Sequence, residues 1–274
     1  MKRTQDFSQI VVIESVSSGL HSGRHVYEDL QTFNAAFQKD LSIQYIEAPN
    51  LQLFWASFDR ILDDIKSHGY YPILHLDCHG SSDTKGIVLA DDSFASWSDL
   101  KPRLIEINRL TQCNLLIVLA SCYGGYLSQV CDPTDRAPFW GLIGPTGTVP
   151  SIDLEQGFSA FYRRLLQSLD GDTALDALRK VNPSIKYAFV PAEFFFKYVS
   201  VNYLIKYCNP QALDDRATNM LLKIGAPFKK RNVKRLIKKG IRLLLKSLHA
   251  GSSWLIYFHR MRQGFLYPLK IYTR

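Results

Sequence analysis

Two short stretches carry residues able to do nucleophilic chemistry: Tyr71-Pro-Ile-Leu-His-Leu-Asp-Cys-His-Gly80 and Leu116-Ile-Val-Leu-Ala-Ser-Cys-Tyr-Gly-Gly125. Each is an apolar run closed by glycine. The first ends in His79-Gly80, and the second ends in Cys122, with Gly124 and Gly125 just beyond. A thiolate attacks a carbonyl carbon, and an imidazole supplies the proton that a leaving amine needs. Gly80 lets the backbone turn so that its N–H faces the reacting carbonyl. The N–H of Cys122 is the second donor that would complete an oxyanion hole. Gly124 and Gly125 permit a tight turn that leaves the sulfur exposed. The chemistry requires His79 and Cys122 to meet, so the two runs must lie side by side and parallel.

The elements around them are consistent with that arrangement. Runs rich in Leu, Ile and Val are what strands covered on both faces look like, and open α/β sheets place their sites at the carboxyl ends of such strands. Gln9–Glu14 reads as a first strand, Leu41–Ile46 as a second and Phe139–Gly144 as a fifth, with Tyr187–Val190 as a last one. Apolar residues at helical spacing predict helices over Val26–Lys39, Leu53–Ile65, Ser98–Leu110, Asp153–Leu169 and Asp172–Val181. Ser96 or Ser98 is the expected cap of the third helix, and Asp153 that of the fourth. Gly86–Leu89 suggests a short hairpin. Strand alternating with helix predicts a mostly parallel sheet with helices on both faces.

Other side chains in these stretches have competing readings. His75, Asp77 and His79 alternate, so on a strand they share one face. That spacing is able to hold a metal, with Cys122 as a further ligand, which would make a metal-dependent hydrolase the alternative. Asp77 otherwise orients His79 or caps a neighbouring loop, and His75 is a hydrogen-bonded core histidine. Cys78 should point to the opposite face and belong to the core. Cys113, Cys131 and Cys208 read as structural or incidental, and His21 and His25, in a first loop able to border the site, as solvent-exposed. No cofactor motif is present.

The chain has 274 residues, 46% hydrophobic and 21% charged. That suffices for one α/β domain of about 200 residues with a smaller appendage. The polar start predicts no secretory signal, and no apolar run is long enough to span a bilayer. Five cysteines, an odd number, favour reduced thiols and a cytoplasmic location. The net charge of +8 conceals a split: Arg216–Arg274 carries 15 Lys/Arg and no Asp or Glu, and the rest has 18 Lys/Arg against 25 Asp/Glu. Two modules are therefore expected, residues 1–190 and a helical, aromatic and basic extension over 191–274. Residues 229–274 have three readings: a solvated basic helix, a dock for a regulatory partner or nucleic acid, and a membrane-surface element. A non-catalytic binding module working through this tail is the other alternative.

The ordered pair His79-Gly80 and Ala120-Ser-Cys-Tyr-Gly124, each after an apolar strand, resembles the caspase-like cysteine peptidases, and among them the bacterial CHAT-type branch. The caspase form of the second motif is Gln-Ala-Cys-x-Gly, with the histidine about 50 residues upstream. This chain keeps the Cys, the Gly and the spacing but has Ala120-Ser121 in place of Gln-Ala. The helix around Arg24, Asp29 and Leu30, the run Phe139–Gly144 and the helix Phe158–Leu169 also resemble family elements, so the similarity covers residues 8–190. The resemblance implies a caspase-like three-layer sandwich and peptide-bond hydrolysis through a His79–Cys122 dyad. It further implies a protein substrate and a role in regulated proteolysis, such as antiviral defence or cell death acting on a gasdermin-like protein. Metacaspase-like members carry Asp where Ala120 stands here. Asp153 and Glu14 are the substitutes at pocket-forming ends, against the alternatives that Asp153 only caps its helix and Glu14 is only surface.

Overall fold

The computed structural model describes residues 7–191, apart from 18, 133 and 134, and isolated positions between 194 and 235. The chain divides into two compact units, Thr4–Ala192 with Tyr267–Arg274, and Glu193–Leu266 with Met1–Arg3. The described residues belong almost wholly to the first. The expected aromatic and basic helices of the extension lie outside the described residues.

In chain order the elements are β1 (Gln9–Ser15), α1 (Ser22–Ala36), β2 (Ser42–Glu47), α2 (Leu51–His68), β3 (Pro72–Gly80), β4 (Gly86–Val88), β5 (Phe94–Ser96), α3 (Trp97–Leu110), β6 (Leu116–Ala120), a 3-10 helix (Gly124–Val130), β7 (Gly141–Pro145), α4 (Ser151–Ser168), α5 (Gly171–Val181) and β8 (Tyr187–Pro191). The main sheet runs β2-β1-β3-β6-β7-β8. Its pairs are parallel except β7 with β8. β4 and β5 form an antiparallel hairpin on the end of β3. This is a three-layer α/β sandwich.

Alternation along the strands divides the core in two. Ile10, Val12, Ile73, Val118 and Ile143 face α1, α4 and α5, where they meet Leu30, Phe158, Phe161, Tyr162 and Leu178. Val11, Ile13, Leu74, Leu76, Ile117 and Leu119 face α2 and α3, against Phe54, Phe58, Ile61, Leu104 and Ile107. Cys78 falls on this second side, buried as expected. The helices begin and stop where local chemistry directs. Asn50 accepts the Leu53 N–H at 2.9 Å to start α2, and Gly69, at φ 67°, ends it in the left-handed conformation. Ser96 and Asp99 form a capping box for α3.

Of the boundaries that depart from the sequence expectation, three bear on the site. α1 begins at Ser22, four residues before the periodic apolar pattern, because small Ser22 and Gly23 are what lets its first turn press on the sheet. α4 begins at Ser151 with Pro150 at the cap position, so Asp153 lies inside the first turn and does not cap. β6 stops at Ala120, so Cys122 sits in the turn beyond the strand.

Phe158 is fully buried in the α4 layer, edge-on to His75, Phe161 and Tyr187. Phe158→Ala removes the ring and leaves a cavity in a close-packed layer, so it should cost about 3–5 kcal/mol in urea unfolding.

Candidate active site

β3 and β6 pair in parallel register from Ile73 opposite Leu116 to Asp77 opposite Ala120. Two residues further along each chain come His79 and Cys122. Their backbones remain in contact: a Cβ on Gly80 would lie 1.7 Å from the Cys122 carbonyl oxygen. Only glycine fits there. The alternation that puts His75 and Asp77 on the α1/α4 face also assigns His79 to it. The Cys122 sulfur reaches the same side, beside Val149, a member of that core layer. His79 is exposed and Cys122 is half-buried.

The two backbone N–H groups expected as oxyanion donors lie at this edge. Ser81 N–H donates to Gly86 O at 3.0 Å, which makes that pair a hydrogen-bonded one in the β3–β4 ladder. Gly80, paired with Ile87, is then a non-bonded position, and its N–H is directed away from β4, toward the β6 side. The Cys122 N–H has no hydrogen-bond partner among the described residues, while its neighbour Tyr123 donates to Gly147 O at 3.0 Å. Among the described residues, then, the Cys122 N–H has no partner and the ladder turns the Gly80 N–H away from β4, on the edge where Gly80 and Cys122 touch.

The remaining candidates are brought near but are already occupied. Glu14, aligned with Asp77 across β1 and β3, is 1% exposed and not a surface residue. It accepts from Tyr45 Oη at 2.6 Å, from the Arg24 N–H at 3.2 Å, and bonds His21 Nδ1 at 2.9 Å. Asp77 accepts from Ser22 Oγ at 2.7 Å. A Cβ on Gly23 would lie 3.0 Å from both Asp77 Cβ and Glu14 Oε1, so the first turn of α1 rests directly on the two carboxylates. They serve as the cap that His21, at the N-cap position, does not supply with its own side chain. Asp77 therefore anchors α1; it makes no hydrogen bond to His79. Asp153 accepts from Asn182 Nδ2 at 3.2 Å. His21 and His25 are partly exposed as expected, and each meets a carboxylate, Glu14 and Glu155 respectively.

His75, Asp77 and His79 do not converge on one point. His75 is fully buried, with Nδ1 at 3.1 Å from Tyr162 Oη, and burial holds its imidazole down at about 3, in the neutral form. Among the described residues no group of three or more His, Cys, Asp or Glu side chains is placed to hold a metal ion.

The residues that sequence reading missed belong to the segment between β7 and α4. Val149 contacts the Cys122 sulfur through its main chain, with N–H to Sγ at 3.4 Å and Sγ to O at 3.7 Å. Main-chain bonds leave no side-chain signature. The one available signal was the turn-rich composition of Pro145-Thr-Gly-Thr-Val-Pro150 directly after the fifth strand.

No family model and no curated protein matches the chain. Among solved structures it is similar to Raptor from Chaetomium thermophilum, at 8% identity and a TM-score of 0.37, over 65% of this chain and 20% of that one. The chain thus spans about a fifth of the length of that protein.

Two predictions follow from the contacts. Gly80→Ala sets a methyl group against main chain that no rotamer change can clear, so it should lose about 2 kcal/mol or more in urea unfolding. Gly147→Ala, with nothing within 4 Å of its added Cβ, should stay within about 0.5 kcal/mol of wild type.

Burial also pushes the Asp77 carboxyl up to about 7, against the lowering pull of Ser22. The folded chain then keeps a proton that the unfolded chain releases above about pH 4. This contribution is fully present below pH 4 and is lost as pH rises toward 7. Asp77→Asn should therefore gain on wild type across that window in urea midpoints taken at successive pH values. A difference that is flat with pH would show that Asp77 does not hold the proton.

Proposed function

We propose that the chain is a caspase-like cysteine endopeptidase, of the kind its CHAT-type resemblance implies, with Cys122 as nucleophile and His79 as general acid and base. The observation that carries this reading is the parallel β3–β6 pair. The residues at its end are an imidazole, a half-buried thiol and two backbone N–H groups, of which that of Cys122 has no hydrogen-bond partner among the described residues and that of Gly80 is turned away from β4. The mostly parallel three-layer sandwich agrees with the same reading.

The chemistry then runs in two halves. His79 takes the Cys122 proton, and the sulfur adds to the scissile carbonyl carbon. The Gly80 and Cys122 N–H groups bind the oxyanion that forms, the electrostatic contribution that usually matters most in acyl transfer. Collapse breaks the C–N bond, and His79 returns the proton to the departing amine. Water, deprotonated by His79, then attacks the thioester and frees the acid and the thiol. Glu14 and Asp153 are committed to internal partners, and Ala120 carries no charge, so selection of a basic substrate residue by any of these three is not part of the proposal. The resemblance also implies a cytoplasmic enzyme of regulated proteolysis, in bacterial defence or cell death, acting on a protein such as a gasdermin-like substrate. Among the described residues no helix is long and apolar enough to cross a membrane.

The test is a peptide-library digest of wild type beside Cys122→Ala and His79→Ala. Wild type should cleave, and each variant should lose about a thousandfold or more, because members of such a dyad act as a unit. Iodoacetamide should abolish the activity and a chelator should not. Undiminished cleavage by Cys122→Ala would overturn the reading. Activity lost to a chelator but not to iodoacetamide would favour metal-dependent hydrolysis instead.

A further inference from the structure

Among the described residues, the Cys122 sulfur is bonded on one side only. Its S–H donates to Val149 O at 3.7 Å, and the Val149 N–H donates back to the sulfur at 3.4 Å. No hydrogen bond joins it to the His79 ring, which lies exposed and without a polar partner among the described residues. The proton that a general base would have to take is thus directed at a carbonyl oxygen of the segment before α4.

That segment is itself tied down. Thr146 bonds Lys186 O twice, through its N–H at 2.9 Å and its hydroxyl at 3.1 Å, which fastens the segment to the residue just before β8. Gly147 O accepts the Tyr123 N–H at 3.0 Å, which fastens it to the nucleophile turn. The Val149 side chain is buried, and Pro150 opens α4. Val149 is therefore held from three directions, and the sulfur is held by Val149.

We propose that residues 146–150 are a clasp that keeps the Cys122 sulfur on the Val149 main chain and away from His79, and that loosening the clasp frees the nucleophile. The proposal rests on Cys122 being the nucleophile. In chemical terms, release exchanges one hydrogen bond for another. The S–H leaves Val149 O, the side chain turns, and the same proton is offered to a His79 nitrogen. No covalent bond changes. Thr146 is the accessible anchor, because its hydroxyl bond to Lys186 O lies at the surface, outside the core and outside the dyad.

The experiment is the rate of Cys122 alkylation by iodoacetamide in the full chain, read at that cysteine by peptide mapping. Thr146→Val deletes the hydroxyl donor and keeps the shape, so alkylation should quicken by about threefold or more, the scale of one lost surface hydrogen bond. Thr146→Ser restores the donor and should return the wild-type rate. Thermal unfolding midpoints identify any variant that is merely unfolding, which would expose Cys78 to the reagent as well. An unchanged or slower rate in Thr146→Val overturns the clasp, as does an equal rise in Thr146→Ser. Peptide cleavage by the same samples separates the two readings. Faster alkylation with no cleavage by any of them refutes the peptidase, and with it the claim that the clasp restrains a nucleophile, leaving only the Val149 contact as a restraint on the sulfur; cleavage with unaltered alkylation refutes the clasp alone.

Discussion

Contact between Gly80 and the Cys122 carbonyl is the constraint on which the site depends. Two strands far apart in sequence must finish at the same height, in register, with no side chain between their last residues. The parallel β3–β6 ladder sets the height. The absence of a Cβ at residue 80 then lets the turn after β6 cross directly over the end of β3. The β4–β5 hairpin serves the same end. By pairing with His79 and Gly80, β4 straightens the tail of β3 beyond the point where its other neighbour stops. His79 and Gly80 are thereby held as strand, with alternating side chains and alternating N–H directions, where a loose loop would leave both undefined.

The same end of the sheet carries two buried carboxylates side by side, and both have to be compensated. A charged carboxylate out of water is costly unless it is hydrogen-bonded. Glu14 meets this with three donors, one of them a backbone N–H from the first turn of α1. Asp77 has one donor, Ser22, and its carboxyl accordingly shifts toward the neutral form. The unsatisfied N–H groups and the positive end of α1 are where negative groups are favoured. The exchange is mutual, since α1 gains a cap and the strands gain counter-dipoles. Its consequence for function is that Glu14 is taken out of contention as a free recognition group.

Much of this was legible from residue types. The apolar runs, the hairpin at Gly86, the Ser96 cap and the parallel β3–β6 pair that ends near His79 and Cys122 follow from periodicity and from glycine position, which are local signals. What was not legible depended on packing between distant segments. Nothing in the sequence around Glu14 says that Tyr45, His21 and the Arg24 N–H will converge on it. Asp153 has the composition of a cap, but the helix begins at Ser151, with extended Pro150 at the cap position, so Asp153 falls inside the first turn. Val149 was invisible because an apolar side chain announces a core position, and its contribution to the site is made entirely by its peptide groups.

The turn that carries Cys122, the proposed nucleophile, shows why the segment before α4 matters beyond the sulfur. Tyr123 adopts φ 59° and ψ 17°, a left-handed conformation unfavourable for a residue with a Cβ. Such a conformation persists only where its surroundings over-determine it. Here the Tyr123 N–H is bonded to Gly147 O, and the following turn is packed so closely that a Cβ on Gly144 would lie 2.8 Å from the Gly124 carbonyl carbon. Residues 146–150 therefore stabilise the strained turn through Gly147 and hold the sulfur through Val149. The Cys122 N–H, the proposed oxyanion donor, belongs to the same turn. A movement of the segment large enough to abandon Gly147 would release the sulfur and disorder the donor together. Productive release has to be confined to Val149, with the Gly147 bond kept. The two contacts sit two residues apart in the segment, on either side of Thr148, so a small rotation of the peptides between them separates the functions.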